Sequence, residues 1–182
     1  KIIYSPDPTK LQRARKNKTE ISGAHAAHNR DAIAVIRFLR WLDETVPATS
    51  ITELDVVAKI HAFRAEGDLF KGLSFPTIAG AGPHGAIVHY IPTEQSNRQL
   101  EQGSLLLLDS GGQYLDGTTD ITRTLPIGEP NEEMCRHFTL VLKGHIAIAS
   151  AHFPIGTSGG QLDALARQYL WRADLNYDHG TG

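Results

Sequence analysis

The chain has 182 residues, a formal net charge of −2, and 41% hydrophobic and 21% charged residues. These values are typical of a globular domain and exclude wholesale disorder, and the near-neutral charge argues against a surface devoted to nucleic acid. The single cysteine, Cys135, excludes both an intramolecular disulfide framework and a cysteine-rich metal site. Apolar stretches such as residues 104–108 are too short to span a bilayer. We expect a soluble, intracellular protein.

The two ends of the sequence indicate a segment of a longer chain. The first residue is Lys1 rather than Met, and residues 178–182 end the sequence without a polar tail. Residues 1–18 carry five basic side chains after Pro6 and Pro8, a composition that favours an exposed linker or arm from a preceding domain. Residues 19–182 are predicted to be the N-terminal part of one folded domain.

Two helices are predicted in the first third of the chain. From about Thr19, apolar residues at three- and four-residue steps lie on one helical face, and Pro47 helps to end the helix. This face comprises Ala32, Val35, Ile36, Leu39 and Leu42, widened by Phe38 and Trp41. A second helix begins at Ser50 or Thr52, where Ser50 and Glu53 have capping-box spacing, and ends at Gly67. Its apolar stripe comprises Val56, Val57, Ile60 and Phe63.

Short strands are predicted in the middle of the chain and helices after it. The strands cover residues 75–79, 86–90, 104–109 and 121–126, and Asp116 with Gly117 is the strongest turn signal. A helix capped by Asn131 is expected to reach Ala149, and a last helix begins near Ser158. The inward-facing residues of these two helices are Met134, Phe138, Val141 and Leu142, then Leu162, Leu165, Ala166 and Tyr169. This order of elements predicts an α+β fold with a largely antiparallel sheet.

Two carboxylates flank the predicted turn. Asp109 ends the most apolar strand, and a buried carboxylate has to be paired, hydrogen-bonded or coordinated. With the turn at residues 116–117, Asp109 would face Thr124, and Asp120 would lie about 13 Å away on the same face of the strand. A bend or bulge at residues 111–112 would close this gap. The spacing leaves open a two-carboxylate metal site and a structural pairing of Asp109.

Two of the nine histidines occur in unusual settings. His89 ends the predicted strand 86–90, where a satisfied core histidine is the ordinary interpretation. His179 precedes Gly180, and glycines permit close approach of backbone or ligand, although a plain turn histidine is the alternative.

Several motifs together resemble one family. Residues 108–124, LDSGGQYLDGTTDITRT, closely resemble the dimetal signature of Xaa-Pro aminopeptidases (aminopeptidase P). These enzymes share the "pita-bread" fold with methionine aminopeptidase, prolidase and creatinase. Residues 86–90 (AIVHY) are similar to the family's substrate-histidine strand, and residues 141–145 (VLKGH) and 177–182 (YDHGTG) resemble its large, cytosolic-type branch. The resemblance covers roughly residues 17–182.

The resemblance implies a fold, an activity and roles for four residues. The fold would be an incomplete pita-bread fold, a curved and mostly antiparallel sheet with helices on its outer face, and residues 19–182 would begin the catalytic domain. Asp109 and Asp120 would bind two divalent ions, manganese first, with Asp109 bidentate on one ion and Asp120 bridging both. His89 and His179 would be catalytic and hold the substrate. We therefore expect Asp109 and Asp120 to approach within metal-bridging distance through a distortion near residues 111–112.

The implied enzyme is a cytoplasmic homodimer that uses a dimetal-bound hydroxide to cleave the bond between an N-terminal residue and a following proline. Its partners would be peptides with proline in second place, with no nucleic acid and no membrane. The family's three other metal ligands, a histidine and two glutamates, would follow Gly182, so residues 1–182 alone are expected to be inactive. The alternatives are a prolidase or creatinase-like amidohydrolase, and a catalytically dead peptide-binding module, which usually loses the two aspartates.

Overall fold

The computed structural model describes residues 5, 7–46 and 48–180, which divide into two compact units. The first unit holds the described residues up to Glu101 together with Leu105–Leu125, and the second holds Gln102–Ser104 and the described residues from Pro126 onward. Pro47, predicted to end the first long helix, lies outside the described residues, as do Thr181 and Gly182. Within the described residues, none of the helices is both long and apolar enough to cross a bilayer.

The helices and strands of the described residues follow the predicted order. They are α1 (Lys10–Ala14), α2 (Lys18–Thr45), α3 (Glu53–Ala65), β1 (Phe70–Leu73), β2 (Ile78–Ala81), a 3₁₀ helix (Gly82–Ala86), β3 (Ser104–Ser110), β4 (Gly112–Tyr114), β5 (Ile121–Ile127), α4 (Glu132–Ala149) and α5 (Gly159–Trp171). One sheet has the strand order β2-β3-β5 and the other pairs β1 with β4. The β2–β3 and β1–β4 pairs are both antiparallel, in agreement with the predicted α+β class.

Helix α2 begins where the sequence predicts and buries three of the seven residues of the predicted face. The Asn17 side chain accepts a hydrogen bond from the Glu20 amide, and the Glu20 carboxylate accepts one from the Asn17 amide, which completes a capping box. The buried residues of α2 are Ala27, Asp31, Ala34, Val35, Phe38 and Leu42. Ile36 was expected on this face but is 63% exposed, because the buried stripe is centred on Phe38 and leaves Ile36 at its far side.

Helix α3 begins at the later of its two predicted starts, Ser50 and Thr52. Thr52 is the N-cap and forms its capping box with Asp55, so the Ser50–Glu53 pairing is wrong. The Glu53 side chain is fully buried instead, on the face that also buries Val56, Ile60 and Arg64. This face of α3 packs against β1 and β2.

The strand predictions are partly right. Strands β3 and β5 confirm the predictions for 104–109 and 121–126, whereas the strand predicted at 75–79 is displaced to Ile78–Ala81. The strand predicted at 86–90 is wrong. These residues finish the 3₁₀ helix, which has a proline in its first turn, and continue into a turn in which His89 has a φ of 56°. A left-handed backbone is incompatible with a continuous strand.

The second unit packs α4 against α5. A Cβ atom at Gly144 would lie 2.1 Å from the Ala166 carbonyl oxygen, so the absent side chain lets the two helices approach closely. The expectation that the apolar stripe of α4 faces inward is wrong for three of its four residues, with exposed fractions of 54% for Phe138, 53% for Val141 and 44% for Leu142, whereas Met134 is half-buried. Ile146, one turn further on, is 55% exposed.

Candidate metal and substrate site

The hairpin that carries the two carboxylates has a different register from the one predicted. The Tyr114 amide donates to the Gly117 carbonyl at 2.8 Å, and the Thr119 amide donates to the Gly112 carbonyl at 2.9 Å. The turn is therefore centred on residues 115–116, one residue earlier than predicted. Thr122, and not the predicted Thr124, hydrogen-bonds the Asp109 carboxylate.

The strand is interrupted at Gly111, two residues after Asp109. Strand β3 ends at Ser110 and β4 begins at Gly112. A Cβ atom at Gly111 would lie 1.9 Å from the Thr119 carbonyl oxygen and 2.3 Å from the Ser74 Oγ, so only glycine permits this approach. Ser74 holds the chain in this position on both sides of the break. Its hydroxyl donates to the Thr119 carbonyl at 2.9 Å, and its amide donates to the Gly111 carbonyl at 3.2 Å.

Asp109 and Asp120 meet beside this break. The pKa of Asp109 is raised, first of all because burial disfavours its charged form. The charge of Asp120 and a hydrogen bond with Asp120 also raise this pKa, whereas the hydrogen bond with Thr122 and the charge of His89 lower it. A second carboxyl group in such contact disfavours the charged form of Asp109, and a bound cation would offset this effect. The Oδ1 atom of Asp109 is buried and has no hydrogen-bond partner among the described residues. A buried, unpartnered carboxylate oxygen beside a second carboxylate fits a hard divalent cation.

The two candidate histidines lie in different units. His89 belongs to the first unit, in the turn after the 3₁₀ helix, and its charge acts on Asp109. His179 belongs to the second unit, where its Nδ1 lies 2.6 Å from the Gly180 carbonyl oxygen and its own carbonyl accepts from Arg167 Nη2 at 2.8 Å. The first unit therefore holds three of the four candidate residues, namely Asp109, Asp120 and His89, of which Asp109 and Asp120 are in contact and His89 acts on Asp109 through its charge.

The structure adds Thr122, which contacts Asp109, and Glu53, which contacts the segment that carries His89. Thr122 was predicted only as a strand residue, and its side chain hydrogen-bonds Asp109. Glu53 was interpreted as a helix-capping residue, yet it accepts hydrogen bonds from the segment that carries His89. Its spacing of three from Val56 and seven from Ile60 places it on the apolar face, which is a signal for a buried carboxylate. Across the described parts of the chain, no group of three or more His, Cys, Asp or Glu side chains forms a metal-binding cluster.

Comparisons with known proteins show which family the chain resembles. The chain is 51% identical over 171 residues to a probable Xaa-Pro aminopeptidase P of Laccaria bicolor, covering 93% of this chain and 27% of that protein. It is 42% identical to the crystal structure of X-prolyl aminopeptidase from Caenorhabditis elegans, described as a cytosolic enzyme with a di-nuclear active site, with a TM-score of 0.90 over 96% of this chain and 29% of that one.

A prolidase from Pyrococcus furiosus is 27% identical, with a TM-score of 0.76 over 90% of this chain and 46% of that one. The chain thus spans about a quarter to a third of the length of its aminopeptidase relatives. The model of metallopeptidase family M24 matches residues 22–182. The chain belongs to metallopeptidase family M24 and has its pita-bread fold.

Proposed function

We propose that the full-length protein is a metal-dependent aminopeptidase that cleaves the bond between an N-terminal residue and a following proline. The observation that carries this proposal is the buried Asp109 Oδ1 without a hydrogen-bond partner, in contact with Asp120 and near the charge of His89. Family membership and the relatives named Xaa-Pro aminopeptidase support the choice of reaction.

Each residue of the site has a role in this proposal. Asp109 and Asp120 hold two divalent ions, with manganese as the proposed metal, and such ions supply an activated water and polarise a carbonyl group. Thr122 donates to Asp109 and fixes the carboxylate in one orientation. His89 and His179 bind the substrate and donate hydrogen bonds to the carbonyl oxygen as it gains negative charge.

The backbone chemistry of proline explains why its peptides need a dedicated enzyme. Proline has no amide hydrogen and a fixed φ, so a peptide with proline in second place defeats proteases that bind an extended chain through its backbone. A pocket that accepts the ring selects such a peptide by shape. A cytoplasmic homodimer is part of the same proposal, and the location is supported by the cytosolic relative from Caenorhabditis elegans.

The test uses a chain of the relatives' full length, stripped of metal with a chelator and reloaded with manganese. We expect hydrolysis of a tripeptide with proline in second place, no hydrolysis of the matched peptide with alanine there, and loss of activity by at least about 100-fold in Asp109→Asn and Asp120→Asn. Asp116→Asn is the matched control. Asp116 lies on the same hairpin, but its carboxylate pairs with Arg30.

The same assay separates the rival functions. Hydrolysis of the Xaa-Pro dipeptide but not of longer peptides would identify a prolidase and contradict the proposal. Binding of the peptide without hydrolysis, with no manganese bound at equilibrium, would identify a binding module. Equal loss of activity in Asp116→Asn and Asp109→Asn would contradict the assignment of Asp109 as a ligand.

A further inference from the structure

Glu53 is a fully buried carboxylate that accepts four hydrogen bonds from one segment of the chain. Its Oε1 accepts from the Ala81 amide at 2.8 Å and from His84 Nδ1 at 2.7 Å. Its Oε2 accepts from the Arg98 amide at 2.9 Å and from the Tyr90 hydroxyl at 3.0 Å. A buried carboxylate that accepts four hydrogen bonds is held in one position, and it fixes the positions of the four donor groups in turn.

The four donors enclose the loop that carries His89. Ala81 is the last residue of β2, and Arg98 lies at the far end of the connection toward β3, so the two amides fix both ends of residues 82–98. His84 and Tyr90 lie inside the loop, and their rings pack together with centroids 4.3 Å apart. Glu53 therefore fixes this loop, which we call the His89 loop, at its two ends and on either side of His89.

The backbone of His89 has a conformation that needs such support. Its φ of 56° lies in the left-handed region, which costs free energy for a residue other than glycine and persists only where the surroundings impose it. Tyr90 follows directly and is held by Glu53 and by Ser96, whose Oγ lies 3.0 Å from the Tyr90 hydroxyl. His89 acts on the pKa of Asp109 through its charge, so the position of this loop sets how the imidazole is placed relative to that carboxylate.

We infer that Glu53 is a positioning residue for His89, an inference that rests on the function proposed above. The carboxylate touches neither Asp109 nor Asp120 in the described contacts, and it acts on the reaction through the His89 loop. A purely structural carboxylate would affect the folded fraction and leave the turnover of the folded enzyme unchanged. A positioning residue changes turnover, and its effect depends on the presence of the His89 imidazole.

The test compares Glu53→Gln and Thr52→Ala in the full-length, manganese-loaded protein. Glutamine keeps the size of Glu53 but replaces one acceptor oxygen with an amino group, which faces two of the four donors. Thr52→Ala removes the N-cap of the same helix and none of the four contacts. We expect Glu53→Gln to lower kcat at least about tenfold with bound manganese unchanged, and Thr52→Ala to leave kcat within about twofold.

Two further measurements connect the effect to His89. His89→Asn is compatible with the loop, because asparagine tolerates the left-handed region. In this background, Glu53→Gln is expected to lower kcat less than about twofold. Hydrogen exchange across residues 82–98 and the imidazole resonances of His89 are expected to change in Glu53→Gln and not in Thr52→Ala.

The same tenfold loss in both backgrounds would overturn the inference, because Glu53 would then act independently of His89. Unchanged exchange in residues 82–98 would overturn it whatever the activity. If the wild-type protein hydrolyses no peptide with proline in second place, the proposed function fails. Exchange and the His89 resonances then decide by themselves whether Glu53 positions the loop.

Discussion

Asp31 and Arg64 form a fully buried ion pair beneath the strand that carries Asp109. Arg64 Nε donates to Asp31 Oδ1 at 2.6 Å, and Arg64 Nη2 donates to Asp31 Oδ2 at 3.1 Å. The Tyr114 hydroxyl donates to the same Asp31 Oδ1 at 2.8 Å. Burial of the ring, and next the hydrogen bond to Asp31, raise the pKa of Tyr114 well above its usual value. The pair joins α2 and α3 to β4, so its integrity matters to the position of the hairpin.

Tyr114→Phe is expected to lower the free energy of unfolding at pH 7 by about 1–3 kcal/mol, because the buried Asp31 carboxylate loses a donor. The raised pKa of Tyr114 gives this stabilisation a defined pH range. Because the folded state holds the Tyr114 proton more tightly than the unfolded state does, the folded state is fully stabilised below the ordinary tyrosine pKa of about 10. This stabilisation is lost progressively as the pH rises above that value. Urea unfolding at pH 7 to 11 is expected to show a difference between the two proteins that narrows above pH 10. A constant difference would contradict the assignment.

Asp109→Asn separates a metal ligand from a structural carboxylate. Burial and Asp120 both disfavour the charged form of Asp109, so in chelator we expect the variant to unfold at an equal or higher urea concentration than the wild type. With manganese present, the wild type is expected to gain stability and the variant to gain none. Urea unfolding with and without the metal measures both. A large loss of stability in chelator would favour the structural role.

The β3–β4 break is the element on which the carboxylate pair depends. Gly111→Ala places a Cβ atom against the backbone oxygen of Thr119, which is fixed in the hairpin and cannot turn away as a side chain does. We expect a loss of about 1–3 kcal/mol in stability and weaker manganese binding, since the two strands have to separate.

Gly160→Ala is the matched control for that change. Gly160 lies in the first turn of α5, and a Cβ atom there would meet nothing within 4 Å. Alanine is the better helix former, so we expect a small gain in stability and no change in metal binding. Thermal unfolding and calorimetric titration of both variants provide the comparison, and equal behaviour of the two would contradict the role given to Gly111.

Helix α2, the carboxylate hairpin and the His89 loop differ in how far neighbouring residues determine their structure. Helix α2 was predictable because its period and its cap lie within neighbouring residues. The pairing of Asp109 with Asp120 was expected, but the register was wrong, because a turn centred on Leu115 and Asp116 carries a weaker local signal than Asp116 with Gly117. The non-strand conformation of His89 depends on hydrogen bonds from residues far apart in sequence to Glu53, and no local pattern contains them.

At the scale of the whole molecule, the described residues hold two of the proposed metal ligands. They contain the Asp109–Asp120 pair, and no cluster of three or more metal-binding side chains occurs among them. Metal affinity rises with the number of ligands that a fold holds in place. The number of ligands therefore sets what residues 1–182 do by themselves.

Residues 1–182, prepared alone, are expected to bind manganese only weakly, with a Kd above about 100 μM, and to hydrolyse no Xaa-Pro peptide. Calorimetric titration of this segment beside the full-length protein measures the difference, and Asp109→Asn in the segment controls for adventitious binding. Micromolar binding at two sites, or measurable hydrolysis by the segment, would show that two carboxylates suffice and would contradict the ligand set.

The exposed apolar stripe of α4 has a consequence for the behaviour of this segment in solution. Phe138, Val141, Leu142 and Ile146 present a hydrophobic surface on a molecule whose net charge is only −2, so electrostatic repulsion between copies is weak. Attraction between copies is then expected to strengthen with ammonium sulfate and with warming, the reverse of an attraction between opposite charges. Light scattering from residues 1–182 should accordingly report a second virial coefficient that falls as sulfate is added.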